Sequence, residues 1–548
     1  MGPRSLRPYV CLLVVFTSLY LAAVAQPQRR QQPRNAGARP ERAAQAEQLP
    51  SETESNPAEN AGPAPAAPAA SATVTAMTSA DLVSQLNQPE ANLKGHILVI
   101  SHKNITGALE LGLEQLPIPF RVEFHNCEFQ NKVSVSDVVF NQGVVFENVT
   151  FDKAFNLDGV HIKGDLLLTN VHMARPENPP PTGKPRTTKI QLNQSQIDGD
   201  LRIKNPEADK LEAENLTAGN VIIWLSKGAG PDIDLAKLDT GRLSIAASTA
   251  GHVNLLQLGG STIHETLALK DITFQNLLAP NMAVGKRTQF LTTTNIDKQL
   301  DLAFSNLGNF DWEFLGEVPG KAAQSEGPDT AALRLPETVS LEGASFSNLH
   351  VAPVFSGKAQ TDQARARRWT LRRTDYGLAL LEKATYYEPA YTAYESLLKG
   401  QGRGDSADAV YFAMRDRRRY TEWKDAATLG SKVIAALNYI VGFGHKWLFG
   451  YGRSWVYPIA WCLAFIAAGA FLFRDANLME KQDEEPVAPF SGLWYSMDLF
   501  IPVLSLGVSS RWHPKRDKGF LVFYSKLLSL VGLVFLSAAL GALTGTLK

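Results

Sequence analysis

The sequence is poor in cysteine and carries no excess of charge. Its three cysteines are Cys11, Cys127 and Cys462, and the first and last lie in apolar runs near the chain ends. We therefore expect no disulfide framework and no cysteine-based metal site in the region between them. Lysine plus arginine equals aspartate plus glutamate at 54 each, whereas nucleic-acid binding needs a concentrated basic face, so we expect no nucleic-acid partner.

Catalytic motifs are missing as well. The chain has no Gly-x-Gly-x-x-Gly between a strand and a helix, no Gly-x-Ser-x-Gly, no His-Glu-x-x-His, no paired cysteines and no haem motif. We therefore predict no catalytic residue, no cofactor-binding residue and no metal ligand. The prediction that follows is a non-enzymatic protein that needs no cofactor.

The N-terminus is typical of an exported protein. Arg4 and Arg7 precede an apolar run that ends in Ala23-Val24-Ala25, which predicts a signal peptide over residues 1–25. The alternative is an uncleaved N-terminal anchor, and both place the following chain outside the cytoplasm. Residues 26–75 are rich in Pro, Ala and Gln and contain no aromatic residue, which predicts a disordered linker.

The middle of the chain repeats every eleven residues. One apolar column contains Val122, Val133, Val144, Phe155 and Leu166, and parallel columns begin at Phe124, Cys127 and Phe129. A turn column contains Asn126, Asp137, Asn148, Gly159 and Asn170. This pattern predicts a mainly β fold, a right-handed parallel β-solenoid over residues 95–355 with four short strands in a coil of about 22 residues.

Other features of this region follow from the repeat. Residues 76–94 are helical in pattern and are predicted to cap the first coil, and a Pro-rich insertion lies between Met173 and Ile190. The histidines at 125, 161 and 172 occupy outward positions, and we interpret them as solvated surface residues, because His161 and His172 face different sides.

Helical periodicity replaces the repeat beyond residue 360. The stretch "PAYTAYESLLKGQGRGDSADAVYFAMRDRRR" predicts a helical hairpin with Asp405 as the N-cap of its second helix, within a helical neck over residues 360–453. The arginines at 415 and 417–419 fit either an anionic lipid surface or a solvated helix face. Aromatic residues close to the apolar segments are predicted to anchor in the membrane interface: Trp447, Tyr451, Trp455, Trp494 and Trp512.

Three C-terminal segments are candidates for the membrane. Residues 455–473 and 520–545 are predicted transmembrane helices, and between them residues 490–508 form either a re-entrant or interfacial helix, which we prefer, or a third span. This middle segment carries Asp498 and Pro502. A carboxylate at membrane depth is functional by default, although Asp498 also fits a helix-start residue near the interface.

The orientation signals in the sequence disagree. The Arg-rich neck favours a cytoplasmic neck by the positive-inside rule, whereas the signal peptide favours an exported one. Large domains translocate largely regardless of their charge, so we give the signal peptide more weight. We therefore predict a bacterial inner-membrane protein with a periplasmic solenoid.

The chain resembles a bacterial family of pentapeptide-repeat-like membrane proteins, through its "GDLLL" coils, its helical hairpin, "FGYGRSW" and "YSMDLFIPVLSLG". Members are labelled ion-channel-like or membrane-associated oxidoreductases, so the resemblance implies a solenoid followed by a channel-like two-helix region. However, "VLSLGVSS" differs from the Thr-Val-Gly-Tyr-Gly run of a potassium filter. We predict an envelope scaffold that binds a protein or glycan partner. The alternative is an oligomeric channel-like, transport or sensing protein built around Asp498.

Overall fold

A 26-stranded sheet of parallel pairings winds through residues 75–354. It belongs to a computed structural model that describes residues 75–90, 93–174, 187–226, 228–291, 294–315, 335–354, 375–453, 456–482, 489–501 and 506–544. The predicted signal peptide and all but the last residue of the predicted linker lie outside the described residues.

The strands are β1 (Thr75–Thr78), β2 (Ile97–Ser101), β3 (Lys103–Thr106), β4 (Leu109–Leu111), β5 (Arg121–His125), β6 (Glu128–Phe129), β7 (Val133–Ser136), β8 (Val139–Phe140), β9 (Val144–Phe151), β10 (Phe155–Asp158), β11 (His161–Ile162), β12 (Leu166–Met173), β13 (Lys189–Gln191), β14 (Gln196–Ile197), β15 (Leu201–Lys204), β16 (Lys210–Glu212), β17 (Thr217–Leu225), β18 (Asp232–Asp234), β19 (Asp239–Gln257), β20 (Thr262–Leu278), β21 (Ala283–Val284), β22 (Arg287–Leu291), β23 (Asn295–Asp301), β24 (Asn309–Leu315), β25 (Thr338–Ser340), β26 (Asn348–Val354), β27 (Met479–Lys481) and β28 (Trp512–Pro514). The helices are α1 (Ser79–Leu86), α2 (Tyr376–Lys383), α3 (Glu388–Gly400), α4 (Gly404–Asp425), α5 (Leu429–Phe449), α6 (Val456–Leu472), α7 (Gly492–Phe500) and α8 (Gly519–Thr544).

The strands form a parallel β-solenoid of about nine coils, as the repeat predicts. Val122 pairs with Val144 and Val144 with Leu166, so a strand pairs with the one 22 residues later. Alternate side chains of each strand point inward, where the repeated columns stack. The rings of Phe124 and Phe146 lie 4.9 Å apart in this stack. A coil of 22 residues with four short sides is therefore confirmed.

The turn column adopts the backbone conformation that its residue types favour. Asn126, Asp137, Asn148 and Asn170 all have a positive φ, between 51° and 58°, and Gly159 has a φ of 69°. The asparagine side chains also form a ladder, since the amide of Asn148 donates to Asn126 and that of Asn170 donates to Asn148. The turn column thus fixes each corner and links neighbouring coils.

Replacing Asn148 by valine is expected to destabilise the solenoid more than replacing it by glycine. A β-branched side chain is strained at the φ of 53° found here, by about 1–3 kcal/mol, whereas glycine adopts it freely. Both substitutions remove the same side-chain hydrogen bonds, so their difference isolates the backbone strain. Chemical denaturation of the two variants measures it, and equal midpoints would contradict the prediction.

The Pro-rich insertion leaves the coil pairing intact. Leu166 pairs with Leu201, and the corresponding hydrogen bond between Asp200 and Asp165 spans 35 residues instead of 22. The additional chain is inserted between two coils whose strands still pair in register. The inserted residues 175–186 lie outside the described part of the chain.

Helices cover both ends of the solenoid. At the N-terminal end, Leu82 and Leu86 of α1 are buried in the solenoid core, and Thr78 and Asp81 form a reciprocal capping box at the start of the helix. At the other end, Ala384 forms a bridge with Val339 of β25. Apolar residues of α2–α4 belong to the same buried cluster as the solenoid core: Leu380, Leu381, Tyr391, Tyr394, Leu398, Val410 and Met414. The helical neck therefore closes the solenoid as a C-terminal cap.

The α3–α4 hairpin differs from its prediction at one position. Helix α4 begins at Gly404, with Arg403 in the N-cap position and no side-chain cap, so the prediction of Asp405 as N-cap is wrong. The chain enters the helix two residues earlier than an N-cap at Asp405 requires. The Asp405 carboxylate lies in the first turn, where it still interacts favourably with the helix dipole.

Candidate functional site: a short helix inserted between two apolar helices

One helix is long and apolar enough to cross a membrane on its own, within the ranges that the structure describes. It is Gly519–Ala538 of α8, and only 28% of its most apolar window is buried. Helix α6 has 17 residues and meets the same criterion only together with α5, from which it is bent by 109°. These exposed apolar surfaces favour association with a membrane.

The segment between α6 and α8 starts and ends at the same place. β27 follows α6, β28 precedes α8, and the two pair antiparallel, with Met479 opposite Pro514. The chain between these two strands therefore starts and ends at the same end of the α6–α8 helix pair. Helix α7 lies within this segment and has nine residues, about 13 Å of helix, which is too short to span a bilayer.

Helix α7 is inserted between α6 and α8. A Cβ atom on Gly492, at its start, would lie 2.7 Å from the carbonyl oxygen of Phe473, just beyond the end of α6. At the other end of α7, a Cβ atom on Gly532 of α8 would overlap the carbonyl oxygen of Phe500. Gly532 lies about 20 Å along α8, near its middle. Helix α7 therefore packs against both α6 and α8, and its re-entrant position in a membrane stays a prediction.

Asp498 fastens the chain that follows α7. Its side chain is 6% exposed, and its two carboxylate oxygens accept hydrogen bonds from the backbone amides of Leu506 and Ser509, at 2.8 and 2.6 Å. The buried carboxylate therefore has partners within its own segment, and its immediate role is to hold the returning chain against α7. Pro502 lies outside the described residues.

Replacing Asp498 by alanine is expected to release the returning chain. The substitution removes two partly buried hydrogen bonds to a charged acceptor, at about 1.5–3 kcal/mol each, and asparagine, which keeps one acceptor oxygen, should be less harmful. Thermal unfolding of the detergent-solubilised protein measures the loss. Asp517→Asn, at an exposed carboxylate just before α8, is the matched control. Equal melting of the alanine variant and this control would show that Asp498 does not fasten the segment.

A second polar cluster joins the solenoid cap to the apolar helices. Arg453 lies between α5 and α6 and is 12% exposed; it pairs with Glu395 of α3 at 2.6 Å and with Asp408 of α4 at 3.0 Å. Its guanidinium also lies 3.8 Å from the ring centre of Tyr411. The charge of Arg453 is therefore neutralised inside the protein.

A neighbouring carboxylate also connects the solenoid cap to the apolar helices. Asp416 of α4 accepts hydrogen bonds from Lys446, at 2.5 Å, and from the hydroxyl of Tyr451, at 2.8 Å. Burial opposes ionisation of this carboxyl, but the hydrogen bonds from Lys446 and Tyr451 hold its pKa below the usual range. Arg453 and Asp416 together attach both ends of the α5–α6 elbow to the cap.

The predicted interfacial anchors fall into three groups. Trp447 and Trp494 are about half exposed, and Trp512 is partly exposed with its ring 5.2 Å from that of Phe490, so their interfacial role stays a prediction. Tyr451 is only 5% exposed and bonded to Asp416, so its prediction as an anchor is wrong. Trp455 lies outside the described residues.

The arginines of the neck are engaged within the protein. Arg417 donates to the carbonyl oxygen of Ala384, Arg418 pairs with Glu422 and Glu388, and Arg419 pairs with Asp416. Arg415 lies over the rings of Tyr411 and Tyr451. The sequence left open whether these arginines form a lipid-binding patch or a solvated helix face. The contacts favour neither interpretation, because most of the charges connect α4 to neighbouring elements.

The outward histidines pair with carboxylates of the adjacent coil. His125 contacts Glu147 at 2.9 Å, and His161 contacts Asp198 at 3.1 Å; His172 pairs similarly with Glu207. Within the described ranges, no three His, Cys, Asp or Glu side chains gather into a group that could hold a metal ion. These histidines belong to ladders that connect successive coils.

One face of the solenoid concentrates cations around an exposed tryptophan. Successive strands place Lys204 beside Trp224, Trp224 beside Ala246 and Ala246 beside Lys270. Trp224 is 41% exposed. The outward positions of these strands and of β22 carry five cations: Arg202, Lys204, Arg242, Lys270 and Arg287. The three arginines pair with Asp200, Glu265 and Asp311, whereas the two lysines beside the Trp224 column form no ion pair with a described residue. Sequence reasoning missed this face, because no two of its cations pair in register on neighbouring coils and so they give no repeat signal.

The fold and these sites define the class of the protein as a capped β-solenoid joined to a small apolar helical module. No family model, no curated protein and no solved structure matches the chain. The resemblance to pentapeptide-repeat-like membrane proteins therefore rests on the sequence patterns alone, and the structure supports its solenoid part.

Proposed function

We propose that the protein is a non-enzymatic scaffold of the bacterial cell envelope, anchored in the inner membrane with its solenoid exported. The observation that carries this proposal is the rigid connection between two unlike parts. A nine-coil solenoid with broad flat faces is capped by helices, and the buried Arg453 pairs hold that cap on the exposed apolar helices. Such an arrangement presents a binding surface at a set position above a membrane.

The charges near the membrane support an exported solenoid. The β27–β28 pairing puts the linker after α6 and the segment before α8 on one side, and the ring of Phe535, late in α8, stacks on Phe449 next to the cap. The β27–β28 side carries six cations close to the helix ends: Arg474, Lys481, Arg511, Lys515, Arg516 and Lys518. Among the described residues, the cap side carries two: Lys446 and Arg453. The positive-inside rule then agrees with the predicted signal peptide, because the neck arginines lie too far from α6 to count.

A topology map tests this proposal. Reporter fusions at residues 485 and 515 are both expected to be active only as cytoplasmic reporters, and a fusion at residue 300 only as a periplasmic reporter. A soluble full-length protein, or a cytoplasmic reporter signal at residue 300, would overturn it.

The basic face around Trp224 is the surface that we propose for a partner. Two lysines without a carboxylate partner flank an exposed aromatic ring, which suits a protein or glycan with negatively charged groups. A photoreactive amino acid at position 224 should form a covalent adduct in intact cells. The matched position is Thr262, exposed on another side of the solenoid. Adducts at both positions, or at neither, would count against this face.

A channel-like function is the second candidate, and the re-entrant position of α7 favours it. Channel pores use such half-inserted helices to direct a loop towards an axis between subunits. Ion flux from liposomes that contain the purified protein tests it. Since Asp498 holds the loop in place, loss of flux in Asp498→Asn alone would not show an ion contact. A monomeric protein without flux would exclude this candidate.

A further inference from the structure

Helix α5 exposes an unusually apolar surface. It has 21 residues, and half or more of many large side chains is accessible. Their exposed fractions are Leu429 82%, Val433 54%, Ile434 60%, Leu437 56%, Ile440 64%, Phe443 51% and Trp447 54%. A contiguous exposed apolar face of this size marks an interaction site rather than ordinary surface.

The opposite side of α5 lies on α4, and the two helices run antiparallel. Near the start of their contact, the Arg419 guanidinium lies 5.5 Å from the ring centre of Tyr439, and further along α5 Lys446 reaches Asp416. Ala435 and Phe449 are buried on this side. Helix α5 is therefore bound to a polar helix along one side and exposes apolar side chains along the other.

The packing of α5 on α4 determines whether α5 can cross a membrane or lie along its surface. With about 31 Å of helix, α5 is long enough to cross a bilayer. However, α4 packs beside it and carries Asp416, Arg418, Arg419 and Glu422, and a spanning α5 would draw these charges into hydrocarbon. Helix α5 also turns by 109° from α6. Lying flat, it buries its apolar face while α4 stays in water.

We propose that α5 lies along the membrane surface and inserts its apolar face at the boundary between lipid head groups and acyl chains. This inference rests on the proposed membrane anchoring and names lipid as the occupant of that face. The apolar surface continues into exposed Val456 and Leu463 of α6, which favours lipid over a separate protein partner. Because the neighbouring arginines are paired within the protein, the interaction is apolar and independent of anionic lipid.

Spin labels along α5 test the proposal in the full-length protein. Single cysteines are introduced at 433, 437, 440 and 447 in a background that lacks the native thiols (Cys11→Ala, Cys127→Ala and Cys462→Ala), with the protein in liposomes of phosphatidylethanolamine and phosphatidylglycerol. Accessibility to oxygen and to a water-soluble nickel complex gives the depth of each label. All four labels are expected at one shallow depth, within about 5 Å of each other, whereas a spanning helix would spread them over about 20 Å.

Controls separate this inference from the proposed anchoring. Labels at Tyr457, Leu463 and Phe471 on α6 should change depth along the helix, and a label at Glu422 on α4 should stay in water. Water-exposed labels on α5 with lipid-buried labels on α6 would overturn the surface helix alone. Water-exposed labels on both helices would overturn the anchoring as well. A depth on α5 that is lost when phosphatidylglycerol is omitted would contradict the apolar mode of binding.

Discussion

A chain that starts at residue 75 and ends at residue 355 is expected to melt at least about 10 °C below one that ends at Asp425. The shorter chain loses α2–α4, whose side chains complete the core at the last coil. Leu380, Leu398 and Val410 are fully buried there, and Tyr391 is 1% exposed with its hydroxyl bonded to the carbonyl of Leu381. Each such side chain contributes about 1.5–3 kcal/mol, and an uncapped solenoid end exposes an unpaired strand edge.

Both fragments lack the apolar helices, so a difference between them reports the cap and not the membrane region. Circular dichroism melts and size-exclusion chromatography measure it. Leu398→Ala in the longer fragment should lower the melting temperature in the same direction, whereas Ser396→Ala, two positions earlier and exposed, should change it little. Coincident melts of the two fragments would mean that the neck is an independent domain.

Replacing Gly532 by valine is expected to displace α7 from its position between α6 and α8. The new side chain would overlap the backbone carbonyl of Phe500, and a backbone atom cannot move aside as a flexible side chain can. We expect a loss of at least about 1–3 kcal/mol, the usual range for overpacking. In the same variant Asp498 would lose its contact with the returning chain, because that contact depends on the position of α7.

The matched control is Gly444→Val on α5, where a Cβ atom would meet nothing within 4 Å. Both substitutions introduce a β-branched residue into a helix, so their intrinsic helix propensities cancel. Unfolding of the detergent-solubilised protein can be followed with a thiol-reactive dye at Cys462 in α6. If the two valine variants melt together, close contact between α7 and α8 is not what holds the re-entrant helix.

The sequence is sufficient for the solenoid because every coil repeats the same local code. Apolar side chains two residues apart, such as Val122 and Phe124, point inward and recur every eleven residues, and the asparagines at the corners favour positive φ. Each strand then meets a neighbour with the same pattern, so strand pairing and coil length follow without knowledge of distant contacts.

The contacts within the cap, and those that connect it to the apolar helices, could not be predicted in this way. The interacting residues are far apart in the chain and do not follow a repeat. Arg453 meets Glu395 and Asp408, and Tyr451 meets Asp416, only after α3 to α6 have assembled around the last coil. By residue type and position, Arg453 and Tyr451 suit a membrane interface. Burial beside carboxylates changes their role, since a charge or hydroxyl removed from water must find its partner within the protein.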